Sequence, residues 1–363
     1  MTPPVQTATP YRVRETPGAT REEWNGWLQN SPGGGHVFQS YEWGEFKRKL
    51  GWRPVRLVLE RDGEVIGAGQ FLLYKTTPVP GSLMYSAKGP WLPWEDETAV
   101  RAFFEGVRDV TAREGAHTVK IEPEFFAQQG HVRDVLDDIG FQKFRWDLHA
   151  RATMAIDLTP SEDELMKNMK KDTRYGVRRA GREGVEVVED NSPGAREEFW
   201  RIFEETAKRK DFWYRPKGYQ FAAWQSMYDT GRAHLFFAVH EGEKLAAAIT
   251  YRFGEKVWYV QAAAVDHKRN LQPTYLLQWE IMRWAKENGA TRYDMMAIPT
   301  PDEMHKDHPW YGVYKFKAGF GGTVEEFPGC LDLPVKPAQA KLWNRIEPTY
   351  YRAHQRIKGD IYY

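Results

Sequence analysis

A handful of polar and aromatic side chains carry what chemistry this sequence offers. Lys47 lies between Trp43 and Trp52 in a short helical stretch, Glu42–Leu50. It reads either as a solvated surface lysine or as a point charge for a phosphate. Arg215 and Tyr219 lie in RKDFWYRPKGYQF, where Pro216 and Gly218 predict a loop. The planar fork of Arg215 suits a pyrophosphate or carboxylate. Tyr219 would hydrogen-bond or stack, unless the loop's aromatics simply pin it to the core. Phe316 and Lys317 stand in YKFKAGFGG just before glycines that let backbone approach closely. They read as a strand or hairpin edge, with alternate residues facing opposite ways. Tyr259 and Gln261 alternate on an expected strand and so share a face. Asp294 sits near a strand end, where it would orient an amine or cap a turn. Lys167, Lys170, Lys171, Arg174, Arg178, Arg179 and Arg182 stand near only Asp172 and Glu183, and several share one face of an expected helix. Such a face is either solvated or draws a phosphate backbone.

Other chemistries find little support. His305 and His308 are the one close histidine pair, without a third ligand at proper spacing, so no metal is expected. No Ser-His-Asp pattern or nucleophile elbow occurs, which argues against a covalent intermediate. The single cysteine, Cys330, excludes an internal disulfide and a Cys-rich metal site.

Elements must position these residues, and the chain holds one unit twice. Val55–Leu73 is a hairpin around Asp62-Gly63, and Leu235–Arg252 a second around Glu241-Gly242. Each precedes a β-rich stretch, Ser82–Ala87 and Lys256–Ala263. Each then leads to an amphipathic helix, Glu97–Glu114 and Pro273–Asn288, stopped by Gly115 or Gly289. Strands follow at His117–Pro123 and Thr291–Pro299. A helix joining two strands of one sheet implies parallel pairing there, so each sheet is mixed. Ser161 and Glu164 form a capping-box pattern, and a helix pair is expected over Gly194–Lys210 and Tyr219–Gly231. Pro337–Lys358 reads as a helix using Leu342, Trp343 and Ile346 against the first domain.

Composition agrees with two domains. The chain has 363 residues, with 51 Lys and Arg against 50 Asp and Glu, which excludes a globally basic nucleic-acid coat. Aromatics make up 14%, enough to line a groove for a large polar ligand as well as two cores. No apolar run approaches the roughly 20 residues of a membrane span. A disordered tail is expected over 1–10, one domain over 11–157 plus 329–363, and the other over 158–328. A cytoplasmic location and no stable transmembrane partner are expected.

The double β-β-β-α-β unit resembles the GCN5-related N-acetyltransferase (GNAT) fold, an α+β class with mixed sheets. Five segments, Phe38–Pro54, Tyr85–Pro93, Glu164–Val187, Arg269–Asp294 and Tyr311–Gly322, further resemble the FemABX peptidyltransferases. The chain lacks room for a long coiled-coil arm and is similar to the compact FemX type. The resemblance implies a nonribosomal aminoacyltransferase that uses no cofactor. It would move glycine, alanine or serine from aminoacyl-tRNA to the side-chain amine of the third residue of a peptidoglycan stem peptide. The acceptor would be the UDP-MurNAc-pentapeptide or a lipid-linked precursor. Lys47, Arg215, Tyr219 and Tyr259 would bind it, with Lys47 at the nucleotide part. Lys317, with Phe316 and Asp294, would face the reacting ester, Lys317 stabilising negative charge on its carbonyl. Lys170, Lys171, Arg174 and Arg178 would hold the tRNA. Two rivals stand beside this reading. An acetyl-CoA acetyltransferase would need a Gly-rich pyrophosphate loop, but Arg269–Thr274 has no glycine and Pro273 removes a donor. A non-catalytic RNA-binding protein would need only the basic helix.

Overall fold

A computed structural model describes residues 10–363, so the expected disordered tail lies, apart from Pro10, outside the described residues. The chain forms two compact units. The first takes residues up to His149 with Phe327–Arg356 and Tyr362–Tyr363, and the second takes Ala150–Glu326 with Ile357–Ile361.

The first unit runs β1 (Tyr11–Glu15), α1 (Arg21–Asn30), α2 (Tyr41–Lys49), β2 (Arg53–Arg61), β3 (Glu64–Lys75), β4 (Ser82–Ser86), α3 (Glu97–Arg113), β5 (Ala116–Ile121), α4 (Gly130–Ile139) and β6 (Gln142–Lys143). The second runs β7 (Ala152–Asp157), α5 (Glu162–Asn168), α6 (Lys171–Arg182), β8 (Glu186–Glu189), α7 (Pro193–Lys210), α8 (Lys217–Tyr228), β9 (Ala233–His240), β10 (Glu243–Phe253), β11 (Lys256–Ala264), α9 (Pro273–Glu287), β12 (Arg292–Ile298), α10 (Tyr311–Lys317) and β13 (Thr323–Glu326). β14 (Leu331–Pro334) and α11 (Pro337–Lys358) close the chain.

Each unit holds one mixed sheet, ordered β1-β2-β3-β4-β5-β14-β6 and β13-β7-β12-β11-β10-β9-β8. The repeated unit is therefore β2-β3-β4-α3-β5 in the first sheet and β9-β10-β11-α9-β12 in the second. The parallel pairs are β4–β5 and β11–β12, as the crossover helices require. α3 shows why the sequence obeys. Asp96 caps it through the Ala99 N–H, and Val100, Phe103, Phe104, Val107 and Val110 bury one face at helical spacing. Gly115, at φ 67°, ends it. Truncating Phe103, fully buried against Phe71 and Phe104, would cost about 3–5 kcal/mol.

Three expectations are corrected. Ala152–Asp157, expected in the first domain, forms β7, which pairs antiparallel with β12 and β13 within the second sheet. Its hydrogen bonds are satisfied only there. The basic segment after Ser161 is two helices. Its capping box forms, but Met169 and Lys170 are extended, and buried Met169 anchors the break. In α11, Trp343 is fully buried, whereas Leu342 faces solvent at 46% exposure. None of the described helices is long and apolar enough to cross a membrane.

Candidate active site

The second sheet opens where its parallel strands should pair. β11 and β12 keep register for three residue pairs, ending at Trp258–Asp294, although both strands run on, to Ala264 and Ile298. Two irregularities drive them apart. A bulge in the β10–β11 pairing sets Thr250 against Tyr259 and Ile249 against Gln261, leaving Val260 extra. On β12 the register with β7 shifts between Asp294 and Ala297, and Met296 adopts φ 61°. A non-glycine residue in that region is held there by its surroundings. In the first unit, by contrast, β4 and β5 pair to Ser86–Ile121, and the Glu122 N–H still donates to the Ser86 carbonyl at 3.2 Å.

Lys317 points into the opening. Its Nζ donates to the Ala297 carbonyl at 2.8 Å and lies 6.0 Å from the centre of the Tyr259 ring. The residue is buried. Burial pushes the ammonium down to about 8, partly opposed by the Asp294 carboxylate. Lys317 ends a helix, not a strand. The aromatics Phe316 and Phe320 meet at i, i+4, with ring centres 5.3 Å apart, and Tyr275 of α9 covers both. The alternating Tyr-Lys-Phe-Lys therefore misread as extended; the helical neighbour pair wins. Gly321, at φ 87°, ends the turn.

Asp294 is buried and fully engaged. Its Oδ1 accepts from the Thr153 hydroxyl and, at 2.7 Å, from the Met296 N–H, while Oδ2 accepts from Arg292 at 3.2 Å. It shapes the strand irregularity and biases Lys317 by charge. Tyr259 lies at the opening, its hydroxyl pushed up by burial. The expectation that Tyr259 and Gln261 share a face is corrected by the bulge: the extra residue turns them to opposite faces. Gln261 accepts from Trp224 Nε1 of α8 at 2.8 Å.

The cationic segment sits beside this site. The Lys170 N–H donates to the Gly319 carbonyl at 2.8 Å, two residues beyond Lys317. α6 buries Thr173, Gly176, Val177 and Ala180, leaving Lys171, Arg178 and Arg182 exposed. Glycines allow the seating. A Cβ on Gly319 would meet Thr173 Oγ1 at 2.2 Å, and one on Gly176 would meet the Tyr275 ring at 2.9 Å. Arg174 differs from its neighbours, since it donates to the Lys167 carbonyl at 2.7 Å and to that of Met169, capping α5.

The remaining candidates have defined surroundings. Arg215 Nη1 donates to Asp360 Oδ1 at 2.9 Å and to the Ile361 carbonyl at 3.0 Å, and its guanidinium lies 4.2 Å from the centre of the Tyr219 ring. Burial pushes the Tyr219 hydroxyl up to about 12. In the first unit, Lys47 is not the solvated lysine of the simpler reading. It is buried, with Nζ 5.4 Å from the Trp52 ring and 6.0 Å from that of Trp43.

A cluster at the carboxyl ends of β4 and β5 went unnoticed in the sequence. Glu122 is buried and accepts from the Tyr85 hydroxyl, from the His149 N–H at 2.8 Å and from His149 Nδ1 at 2.6 Å. Despite burial, His149 above all holds its carboxyl down to about 2. Lys88 pairs with Glu124 at 3.3 Å nearby. The available signal was position, since parallel strands in α/β sheets present ligands beyond their carboxyl ends.

Two GNAT-like units lie in one chain, the second with an opened parallel pair and a buried lysine in the gap. The FemAB family model matches residues 19–241 and 238–347, and the chain belongs to that family and is a transferase of its type. The lipid II:glycine glycyltransferase of Staphylococcus aureus (strain MRSA252) is 23% identical over 416 residues, spanning 94% of this chain and 98% of that protein. The protein of the same description from Staphylococcus haemolyticus (strain JCSC1435) is 23% identical over 414 residues, with the same shares. Both alignments exceed the 363 residues here, so those relatives carry segments this chain lacks. Among solved structures, FemX superimposes with a TM-score of 0.82 at 22% identity, covering 91% of this chain and all of FemX. A tandem GNAT protein from the clavulanic acid pathway gives 0.54 at 13% identity, covering 90% and 99%.

Proposed function

We propose that this protein moves an amino acid, glycine foremost, from aminoacyl-tRNA to the side-chain amine of the third residue of a peptidoglycan precursor's stem peptide, at the cytoplasmic face of the membrane. Family membership and the description of its relatives support the reaction class. The observation that carries the reading is Lys317, a buried cation held in the gap between β11 and β12. Glycine and a lipid-linked acceptor are favoured over the UDP-linked one because the relatives are described as acting on lipid II with glycine.

The acceptor amine, as a free base, attacks the ester carbonyl of the aminoacyl-tRNA. A C–N bond forms, and negative charge develops on the carbonyl oxygen, where Lys317 stabilises it. The ester C–O bond then breaks, and the proton lost by the amine goes to the leaving 3′ hydroxyl. The ester is already activated, so positioning supplies much of the remaining rate. Phe316 and Tyr259 flank the reacting end, and Asp294 acts through Lys317 and the strand irregularity. The exposed cations Lys170, Lys171 and Arg178 attract the tRNA backbone, with Arg174 holding their helix in place. Arg215 and Tyr219 bind the acceptor; Lys47, in the first unit, is the candidate contact for a phosphate. For Arg215 this means that the acceptor's phosphates compete with Asp360 for one guanidinium.

The acetyl-CoA alternative loses ground at α9. Its first residue is Pro273, preceded by Gln272 at φ 58° with no side-chain cap, so a cradle of N–H groups for a pyrophosphate is poor. The test is a transfer assay with lipid-linked and UDP-linked precursors and a pool of charged tRNAs, read by mass spectrometry. The reading requires a gain of one amino-acid residue that ribonuclease abolishes. No gain with either precursor, alongside acetyl transfer from acetyl-CoA, would replace it.

A further inference from the structure

We propose that the loop between α7 and α8 docks the second unit onto an anionic membrane surface, with Trp213 and Phe212 entering the headgroup layer. The loop's aromatics divide sharply. Tyr214 packs on Trp200 and Phe203, with ring centres 5.6 and 5.4 Å away. Trp213 is 51% exposed and Phe212 41%, the latter touching Phe203 along one edge. Beside them runs the segment Ile357–Ile361, tied to the loop by the Arg215–Asp360 pair, and its Ile357 is 78% exposed. Large apolar side chains this exposed, gathered on one loop and its neighbour, need a reason.

Charge indicates the occupant. Lys208 and Lys210 in the last turn of α7, Lys217 opening α8, and Lys358 are all exposed. Asp211 is the acidic residue within the loop, and Glu197 pairs with Lys217 at 2.7 Å. Arg209 is turned away to the Ala264 carbonyl and Asp266. The excess is positive and flanks the exposed apolar residues along the chain, the pattern of an interfacial anchor on anionic lipid. RNA also suits lysines and aromatics, but Ile357 has no ring to stack on a base and gains only by leaving water.

The inference deepens the proposed function and rests on its reading of Arg215 as an acceptor contact. Arg215 lies two residues after Trp213. The pyrophosphate of a lipid-linked precursor lies at headgroup depth. A loop anchored there through Trp213 would carry Arg215 to that level.

The experiment measures binding to sedimented vesicles, without acceptor or tRNA, so failure of the transfer reaction leaves it interpretable. Vesicles of phosphatidylcholine are compared with vesicles containing about a third phosphatidylglycerol. The wild type should prefer the anionic vesicles. Trp213→Ser should lower that binding about tenfold or more. Lys208→Glu with Lys210→Glu should abolish the preference for anionic lipid. Phe212→Ser serves as a second variant if its melting temperature matches the wild type. The proposal fails if the wild type ignores anionic vesicles or if Trp213→Ser binds them equally well. It fails also if Trp213→Ser loses tRNA binding while keeping vesicle binding, which would make the loop an RNA surface.

Discussion

A buried lysine is an expensive way to fill a gap between two strands, and that cost makes Lys317 informative. Its ammonium titrates near 8 instead of 10.5 because burial disfavours the charge. The unfolded chain therefore binds more protons between about 8 and 10.5, and stability should rise with pH across that window. Below it the penalty is fully present. Lys317→Met should accordingly raise stability at pH 7 by about 1–2 kcal/mol while removing transfer activity, a trade seen in a thermal melt beside an activity assay. The same titration gives activity a falling limb near pH 8, as the stabilising cation is lost. Lys317→Arg should move that limb beyond the accessible range. Glu122 has the opposite sign. Its carboxyl is held near 2, chiefly by His149, so its contribution is present above about 4.5 and lost as pH falls toward 2. Glu122→Gln should flatten the acid side of the stability profile by about 1–3 kcal/mol. A profile unchanged by that substitution would show the cluster to be uncoupled from folding.

At the scale of elements, α6 is seated on the turn after Lys317 with no room to spare. Gly319→Ala would drive a methyl group into Thr173. The substitution should cost about 1–3 kcal/mol and weaken tRNA binding together with activity, measured by denaturant unfolding and a filter-binding assay. Replacing Lys170, Lys171 and Arg178 with Ala should leave stability near that of the wild type. It should also reduce the slope of log affinity for tRNA against log salt by about 2–3. Legibility followed the same division. Hairpins, crossover helices and their glycine stops were readable because each is a local signal: Asp62-Gly63, the Phe103 and Phe104 face, Gly115. β7 was misplaced because strand partners are non-local, and Ala152–Asp157 carries no mark of which sheet it joins. The helix at Lys317 was misread because a four-residue alternation outweighed the Phe316–Phe320 pair. The bulge at Val260, which turns Gln261 away from Tyr259, has no glycine to announce it. Lys317 and Asp294 entered through the family resemblance and the basic stretch through its charge pattern, whereas the split of β11 from β12 beside them follows from non-local strand pairing.

Across the whole molecule, one unit occurs twice and only one copy is opened. In the first unit, β4 and β5 stay hydrogen-bonded to their ends, and the residues beyond them form a satisfied ionic cluster around Glu122. The second unit gives up pairing after Trp258–Asp294 and places Lys317 in the space. The two copies thus differ at the carboxyl ends of their parallel strands. Acyl transfer at the opened strands of the second unit, as proposed, must depend on Lys317. The direct measurement is single-turnover transfer from glycyl-tRNA to a saturating stem-peptide precursor, comparing wild type with Lys317→Met. The expected rate is lower by about 100-fold or more, with the affinity for glycyl-tRNA within about twofold of the wild type. A Lys317→Met enzyme that transfers at the wild-type rate would contradict it and move the chemistry elsewhere.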